Sequence, residues 1–405
     1  MTHKTLAQKR FSLRSYNMLH PTDPRFLEEV ACWRRHLHAH PELSGEEAQT
    51  AAFVSRKLTE MGIAHETGIG GHGIVARLHR PGSNRSVGLR GDMDALPIVE
   101  ANDFDHMSTR HGVMHGCGHD GHTAALLGVA AVLNAAEDWQ GTIHLIFQPA
   151  EENGTGAKAM IADGLFDRYP TERLFGWHNI PGWDAGTAAI HVGPSMAAGG
   201  DWRVSFQGVA GHAAAPHLTR DPITAIGHLI VALNSIVPRN VDPADTVVIT
   251  SSMVRGGVVS NQIPDSAELV GTLRTFNEDV RRAVIARMGE VIEGTAATFG
   301  VKADYLINST GKVICDTPED SDLAVEAAYA AGLSVSRDIK PFMGGDDFAF
   351  LVDQRPGAYI HIGNGPVVGE GKLHNAGYDF NDEVLGPAIS WLANVAKLAL
   401  KAGRA

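Results

Sequence analysis

The sequence predicts an α/β protein, with a mainly parallel sheet covered by helices and an inserted α+β unit of ferredoxin-like order. Three observations predict it. Short apolar runs bounded by Gly or Pro alternate with stretches of helical periodicity, the pattern of strands buried between helices. From about Met196 the rhythm changes to strand, helix, strand, strand, helix, strand. Beyond about residue 310 the alternation resumes. Residues 1–195 and 311–405 are therefore assigned to one domain, and residues 196–310 to a second inserted into it.

Each element has a local reason. Phe26, Val30, Trp33 and Leu37 recur at helical spacing, which predicts a helix over 24–39 ended by His40-Pro41. A second helix runs from about Glu46 to Met61 and stops at Gly62. GIVARL, SVGLRGD, GTIHLIFQP and ERLFGWHN then read as strands, and TAALLGVAAVLNAA and GAKAMIADGLF as helices. In the insert, DWRVSFQGV, TVVITSSMV, AELVGTLRTF and VKADYLIN are the strands. DPITAIGHLIVALNSIV is the first helix there, and NEDVRRAVIARMGEVIEGTAATF the second, capped by Asn277 and stopped by Gly300. Afterwards 320–332 is helical, FAFLVDQ extends a helix begun at Gly345, GAYIHIGNG is a strand, and the last helix covers about Asn381 to Leu400.

Composition excludes several classes of function. The 405 residues are 44% hydrophobic and 20% charged, enough apolar surface for a sizeable core. The net charge of −12 comes from scattered acidic residues with no Lys/Arg block, so nucleic acid is not expected as a partner. No apolar run is long enough to span a bilayer, and the first residues lack the apolar core and cleavage site of a secretory signal. With 3 cysteines no disulfide framework is suggested, and a reducing cytoplasm is the default location. Cys32 and Cys315 read as buried small hydrophobes.

Chemistry concentrates where strands end. In MHGCGHDGH, Cys117 and His119 offer the thiolate and imidazole that zinc prefers, on a turn loosened by glycines. A haem attachment or a redox pair needs a second nearby cysteine, which is absent. LRGDMDALP places Asp92 and Asp94 at another strand end, IFQPAEE places Glu151 and Glu152, and FGWHN places His178. Ligands of an open α/β sheet gather at such carboxyl ends. Adjacent Glu residues beside a divalent ion can divide the roles of ligand and general base. GKLHNAGYDFND adds His374. MGGDDFAF puts Gly344 and Gly345 before a helix whose N-terminal amides can face an anion. The insert carries His212, His217, Asn261 and Arg274. HLHAHP reads as a helix end rather than a metal pair, His122 as a supporting residue, and GIGGHG lacks the spacing of a dinucleotide loop.

The ordered segments RRHLHAHPELSGEE, GLRGDMDALPI, MHGCGHDGHTAALL, QPAEENGTGAKAMI, WHN, GHAAAPH, NQIPD, GTLRTF, GGDDFAF and LHNAGYDFND resemble the peptidase family M20 amidohydrolases. The resemblance is to the subgroup of hippurate hydrolases, N-acyl-amino-acid amidohydrolases and indole-acetyl-amino-acid hydrolases, and spans about Phe26 to Leu400. It implies a metallopeptidase-like catalytic domain that holds two divalent metal ions per subunit, Zn2+ or Mn2+, through Cys117, His119, Glu152, His178 and His374. Other branches have a His ligand where Asp92 stands, and Cys117 would supply that bond here. Glu151 would be the general base and Asp94 a carboxylate orienting a ligand. The insert would be a lid and the dimerisation surface of a homodimer, with His212 reaching the partner's site to stabilise an oxyanion, and with Asn261 and Arg274 binding the substrate's carboxylate end. The substrate implied is a small N-acyl amino acid. A metallo-aminopeptidase or dipeptidase, or a non-catalytic binding protein, are the rival readings.

Overall fold

The computed structural model describes residues 20–308, 311–367 and 371–402. The chain divides into two compact units. One comprises the chain through Val192, Asp316–Ile339 and the chain from Gln354; the other comprises Gly193–Cys315 and Lys340–Asp353.

The first unit opens with α1 (Pro24–Ala39), whose N-cap Asp23 accepts from the Arg25 amide, and α2 (Ala48–Glu60). Strands β1 (Ala64–Ile69), β2 (Gly73–Arg80) and β3 (Ser86–Asp92) follow, then α3 (His119–Ala135) and β4 (Gly141–Gln148). The stretch expected as one helix over GAKAMIADGLF is two, α4 (Gly156–Ala162) and α5 (Leu165–Arg168). Gly164 at φ 80° breaks it, a left-handed angle that glycine adopts without penalty. Strands β5 (Arg173–Ile180) and β6 (Thr187–Ile190) complete this half.

The second unit contains β7 (Gly193–Met196), β8 (Ala198–Gln207), β9 (Gly211–His212), α6 (Pro222–Asn234), α7 (Ile236–Asn240), β10 (Val247–Gly256), β11 (Gln262–Ile263), β12 (Ser266–Thr275), α8 (Glu278–Phe299), β13 (Lys302–Asn308) and β14 (Ile314–Asp316). Its main sheet runs β10-β12-β8-β13, antiparallel throughout, which is the order of a split βαβ sandwich. Trp202, Val204 and Phe206 of β8 pack with Leu229 of α6 and Met288 and Ile292 of α8 in its own core. Asn277 accepts from the Asp279 and Val280 amides, and Gly300 at φ 65° ends α8. Segment 340–353 joins this unit because Ala197 donates to the Phe342 carbonyl and Phe342 to the Ser195 carbonyl, long-range bonds that no local pattern announces.

The chain then forms α9 (Pro318–Ala330), β15 (Ser334–Ser336), α10 (Phe348–Gln354), β16 (Gly357–Gly363) and α11 (Leu385–Lys401). The first unit's sheet has eight strands in the order β1-β2-β4-β3-β5-β16-β6-β15. Its centre is parallel, β4 with β3, β3 with β5 and β5 with β16, while β1, β2 and β6 are joined by antiparallel pairing. In α3, Leu126, Leu127, Val129, Ala130 and Leu133 are all buried, between the sheet, α1 and α11. No helix among the described residues is long and apolar enough to cross a membrane. Cys32 and Cys315 are exposed, correcting the expectation of buried thiols: Cys32 lies on the outer side of α1 and Cys315 on the outward position of β14. The helix expected from Gly345 begins instead at Phe348, because the Asp346 carboxylate accepts from the Phe348 amide at 2.7 Å and sets the cap there.

Candidate metal centre

Carboxyl ends of the central parallel strands deliver the site. β3 ends at Asp92 with Asp94 two residues on, β4 leads to Glu151 and Glu152, and β5 carries His178. The N-terminus of α3 brings Cys117 and His119, separated by Gly118 in a left-handed conformation at φ 94°. A Cβ on Gly118 would sit 2.2 Å from the Asn179 Oδ1 atom and 2.7 Å from the Tyr378 hydroxyl, so this turn admits only glycine. His374 adopts φ 60° and its amide donates to the Gly116 carbonyl at 2.7 Å, tying the last loop to the same turn. Ala150, just before Glu151, is the other described non-glycine residue with positive φ, at 51°. Such backbone angles persist only where surrounding bonds enforce them.

Of the groups of converging donor atoms, two overlapping ones hold the residues the resemblance implies as ligands. Those of Cys117, His119 and His178 lie within 4.8 Å of one another, as do those of Cys117, Glu152 and His374. Cys117 belongs to both, and all five ligands implied by the resemblance are therefore together. Glu151 stands beside them, with its Oε2 at 4.0 Å from His119 Nε2.

Hydrogen bonds to the outer nitrogens orient the imidazoles. His119 Nδ1 donates to the Asp94 carbonyl at 3.0 Å and to its Oδ1 at 3.1 Å. His178 Nδ1 donates to the Asn179 carbonyl at 2.8 Å. Each ring thereby presents Nε2 inward as a lone-pair donor. Asp94 is itself held by the Ser44 hydroxyl at 2.6 Å and the Glu152 amide at 3.0 Å.

Asp92 is placed differently. It is fully buried, with Oδ2 accepting from Arg90 Nη1 at 2.5 Å and Oδ1 from His122 Nδ1 at 2.6 Å. His122 Nε2 in turn lies 2.9 Å from Asn179 Oδ1, whose Nδ2 donates to the Tyr378 hydroxyl. Asp92 and His122 thus spend their polar atoms on each other and on Arg90 and Asn179. Sequence reading did not find Arg90, Asn179, Tyr378 or Ser44; no spacing rule signals a residue that acts through a ligand.

The electrostatics fit a cation. Burial, assisted by the Glu152 carboxylate, pushes the Cys117 thiol well above its ordinary range, and burial together with His122 holds His178 well below the usual imidazole value. Without an ion Cys117 therefore stays a neutral thiol, and a bound cation would be what stabilises its thiolate beside the carboxylates. His119 Nε2 is buried without a hydrogen bond among the described residues, with the Glu152 Oε1 atom 4.0 Å away. The Glu152 oxygen is too far away for a hydrogen bond, at a spacing that two ligands each about 2 Å from a bound ion would have.

Other predicted residues lie in the second unit. The short ladder of β9 with β11 pairs His212 with Gln262, and the Ala213 amide donates to the Asn261 carbonyl at 3.0 Å, so His212 and Asn261 are adjacent. His212 is exposed, and its Nδ1 accepts from the Ala214 amide at 3.0 Å, which leaves the proton on Nε2. His217 is exposed in the turn Pro216–Leu218. Arg274 on β12 donates to the Leu273 and Gly200 carbonyls and forms no salt bridge among the described residues. Gly344 and Gly345 line the approach to α10, with the Gly344 carbonyl accepting from Ala197. The Asp346 cap occupies the Phe348 amide that was expected to face an anion.

An α/β sheet with thiol, imidazole and carboxylate donors at its strand ends defines a metal-centred protein of the α/β class. Residues 88–398 match the model of peptidase family M20/M25/M40, and the chain belongs to that family. It is 38% identical over 368 residues to N-acetyl-L-cysteine deacetylase of Bacillus subtilis strain 168, covering 91% of this chain and 87% of that protein. It is 37% identical to hippurate hydrolase of Campylobacter jejuni, covering 91% and 95% of the two chains. A Bacillus subtilis dinuclear metal binding peptidase from the M20 family, the YXEP protein, superposes with a TM-score of 0.81 at 31% identity, covering 94% of this chain and 99% of that one.

Proposed function

We propose that this protein is a binuclear metal-dependent amidohydrolase that cleaves N-acyl amino acids to a carboxylic acid and a free amino acid. The observation that carries the reading is the convergence of Cys117, His119, Glu152, His178 and His374 beside Glu151, in a chain 37% identical to a hippurate hydrolase. Those five residues would hold two divalent ions, which when bound would supply the Lewis acidity that polarises an amide carbonyl and acidifies water. Glu151 takes the proton from the attacking water and passes it to the leaving amine. Asp94 fixes His119 in the tautomer that ligates.

The second unit supplies substrate recognition and acts as a lid. This unit comprises Gly193–Cys315 and Lys340–Asp353. His212, with its proton on Nε2, is suited to donate to the oxyanion. Arg274, which forms no salt bridge among the described residues, and Asn261 receive the substrate's carboxylate end, together with Gly344 and Gly345. His212 acts across a homodimer. Supporting this, Ile223 and Val231 of α6, Val248 and Val254 of the edge strand β10, and Val258 beyond it leave apolar side chains exposed, Val258 at 99%. Thiolate and imidazole suit zinc, whereas the carboxylate admits manganese. The exposed thiols of Cys32 and Cys315 fit a reducing cytoplasm.

The test is product release from metal-loaded protein offered benzoyl, acetyl and indole-acetyl amino acids alongside dipeptides with a free α-amine. Hydrolysis of at least one acyl-amino acid is expected. Cleavage of dipeptides alone would assign a peptidase, and release from no member a binding protein; either result overturns the proposal.

A further inference from the structure

The segment HPELSGEE has no role in the mechanism above, yet it reaches the centre of the site. Glu47 is the N-cap residue of α2, but its side chain makes no capping bond. Glu42 caps the helix in its place, with Oε2 accepting from the Gln49 and Thr50 amides at 2.8 Å each and from the Thr50 hydroxyl at 3.0 Å. Glu47 is thereby released for another use. Its Oε1 accepts from the Gly45 amide and, across 103 residues of chain, from the Ala150 amide, both at 2.8 Å. Glu47 is fully buried, and its Oε2 has no hydrogen bond among the described residues.

Ala150 is the residue at φ 51° that precedes Glu151. An alanine resists that angle, and its buried amide needs an acceptor. The same segment is anchored a second time, since the Ser44 hydroxyl holds Asp94, which accepts from the Glu152 amide. The Glu42 carbonyl also accepts from the Ala95 amide at 2.8 Å.

We propose that Glu47 is a positioning residue of the reaction: its carboxylate pins the Ala150 amide, so that the left-handed turn at Ala150 aims Glu151 into the metal centre. The inference rests on the reading of Glu151 as general base. Without the acceptor, the turn at Ala150 relaxes toward negative φ, and the backbone that carries Glu151 rotates with it. Gln at position 47 keeps an acceptor oxygen of the same reach. Asp keeps the carboxylate but is one methylene too short to meet Ala150.

The experiment compares Glu47→Leu, Glu47→Asp and Glu47→Gln in the metal-loaded protein by kcat, KM, metal content and amide exchange at Ala150. Leu and Asp are expected to lower kcat about tenfold or more with KM within about twofold and metal content kept. Ala150 exchange should accelerate about tenfold or more in both, and Gln should stay within about threefold of wild type in each measure. Adding Ala150→Gly to Glu47→Asp should recover kcat, because glycine holds the angle unaided. If Leu does not fold, Asp carries the comparison. Unchanged kcat or unchanged Ala150 exchange in folded Glu47→Asp overturns the proposal, as does a Gln variant as impaired as Asp. The exchange measurement is independent of the role of Glu151. Glu151→Gln that retains turnover would remove the base assignment while leaving accelerated exchange in Glu47→Asp intact.

Discussion

Titration of His38 should set the alkaline limit of this protein's stability. His38 lies on α1 and is fully buried, with Nδ1 at 2.9 Å from Asp120 Oδ2 and Nε2 at 3.1 Å from Glu100 Oε1. Both nitrogens face carboxylates, so the ring carries both protons. Burial opposes that charge, but the bonds to Asp120 and Glu100 outweigh it and raise the pKa from 6.5 to about 9. Arg34, 3.6 Å from the same Asp120 oxygen, also binds Asp379 and Asp382, so the cluster joins α1 to the start of α3 and to the loop before α11. A group whose pKa is raised on folding contributes fully below its unfolded value and loses that contribution as pH rises through the folded value. At about 1.4 kcal/mol per pH unit, the interval from 6.5 to about 9 amounts to about 3 kcal/mol. Urea unfolding followed by tryptophan fluorescence, at about pH 6 and about pH 9.5, measures it. Wild type should lose about 3 kcal/mol relative to His38→Gln between the two conditions. Parallel behaviour of the two proteins would refute a charged, buried His38.

Three further outcomes follow from the site. Glu151→Gln should abolish turnover while metal content, measured by atomic absorption, stays at the wild-type level; loss of metal would reassign Glu151 as a ligand. Gly118→Ala forces a left-handed alanine, costing roughly 1–2 kcal/mol before the contact with Asn179 is counted. It should also weaken metal binding by about tenfold or more in a chelator competition, since the turn sets both Cys117 and His119. Mixed subunits of His212→Ala and Glu151→Gln, each inactive alone, should recover partial activity once subunit exchange is verified. No recovery would count against a site shared between protomers.

Much of the architecture was legible because it is written in local pattern. The alternation of GIVARL, SVGLRGD and GTIHLIFQP with helical stretches announces the sheet, and the change of rhythm near Met196 announces the antiparallel unit. Asn277 and Gly300 bracket α8 as their cap chemistry requires. Where the pattern misled, a single backbone contact decided: Gly164 divides one apparent helix, and the Asp346 cap delays another to Phe348. Segment 340–353 groups with the second compact unit through pairing with Ser195 and Ala197, which lie far away in the chain, so no local pattern signals it.

The sequence by itself determined the fold class, the donor types at the strand ends and the family. Those depend on residue identity and short-range spacing, which a linear chain displays. Tertiary structure alone decided which nitrogen of His119 faces inward, that Asp92 is absorbed by Arg90 and His122, that HLHAHP contributes a buried cation at His38, and that Glu47 abandons its own helix for Ala150. Each of these depends on where a polar atom finds its partner once it is removed from water, and the partners here stand up to 103 residues apart.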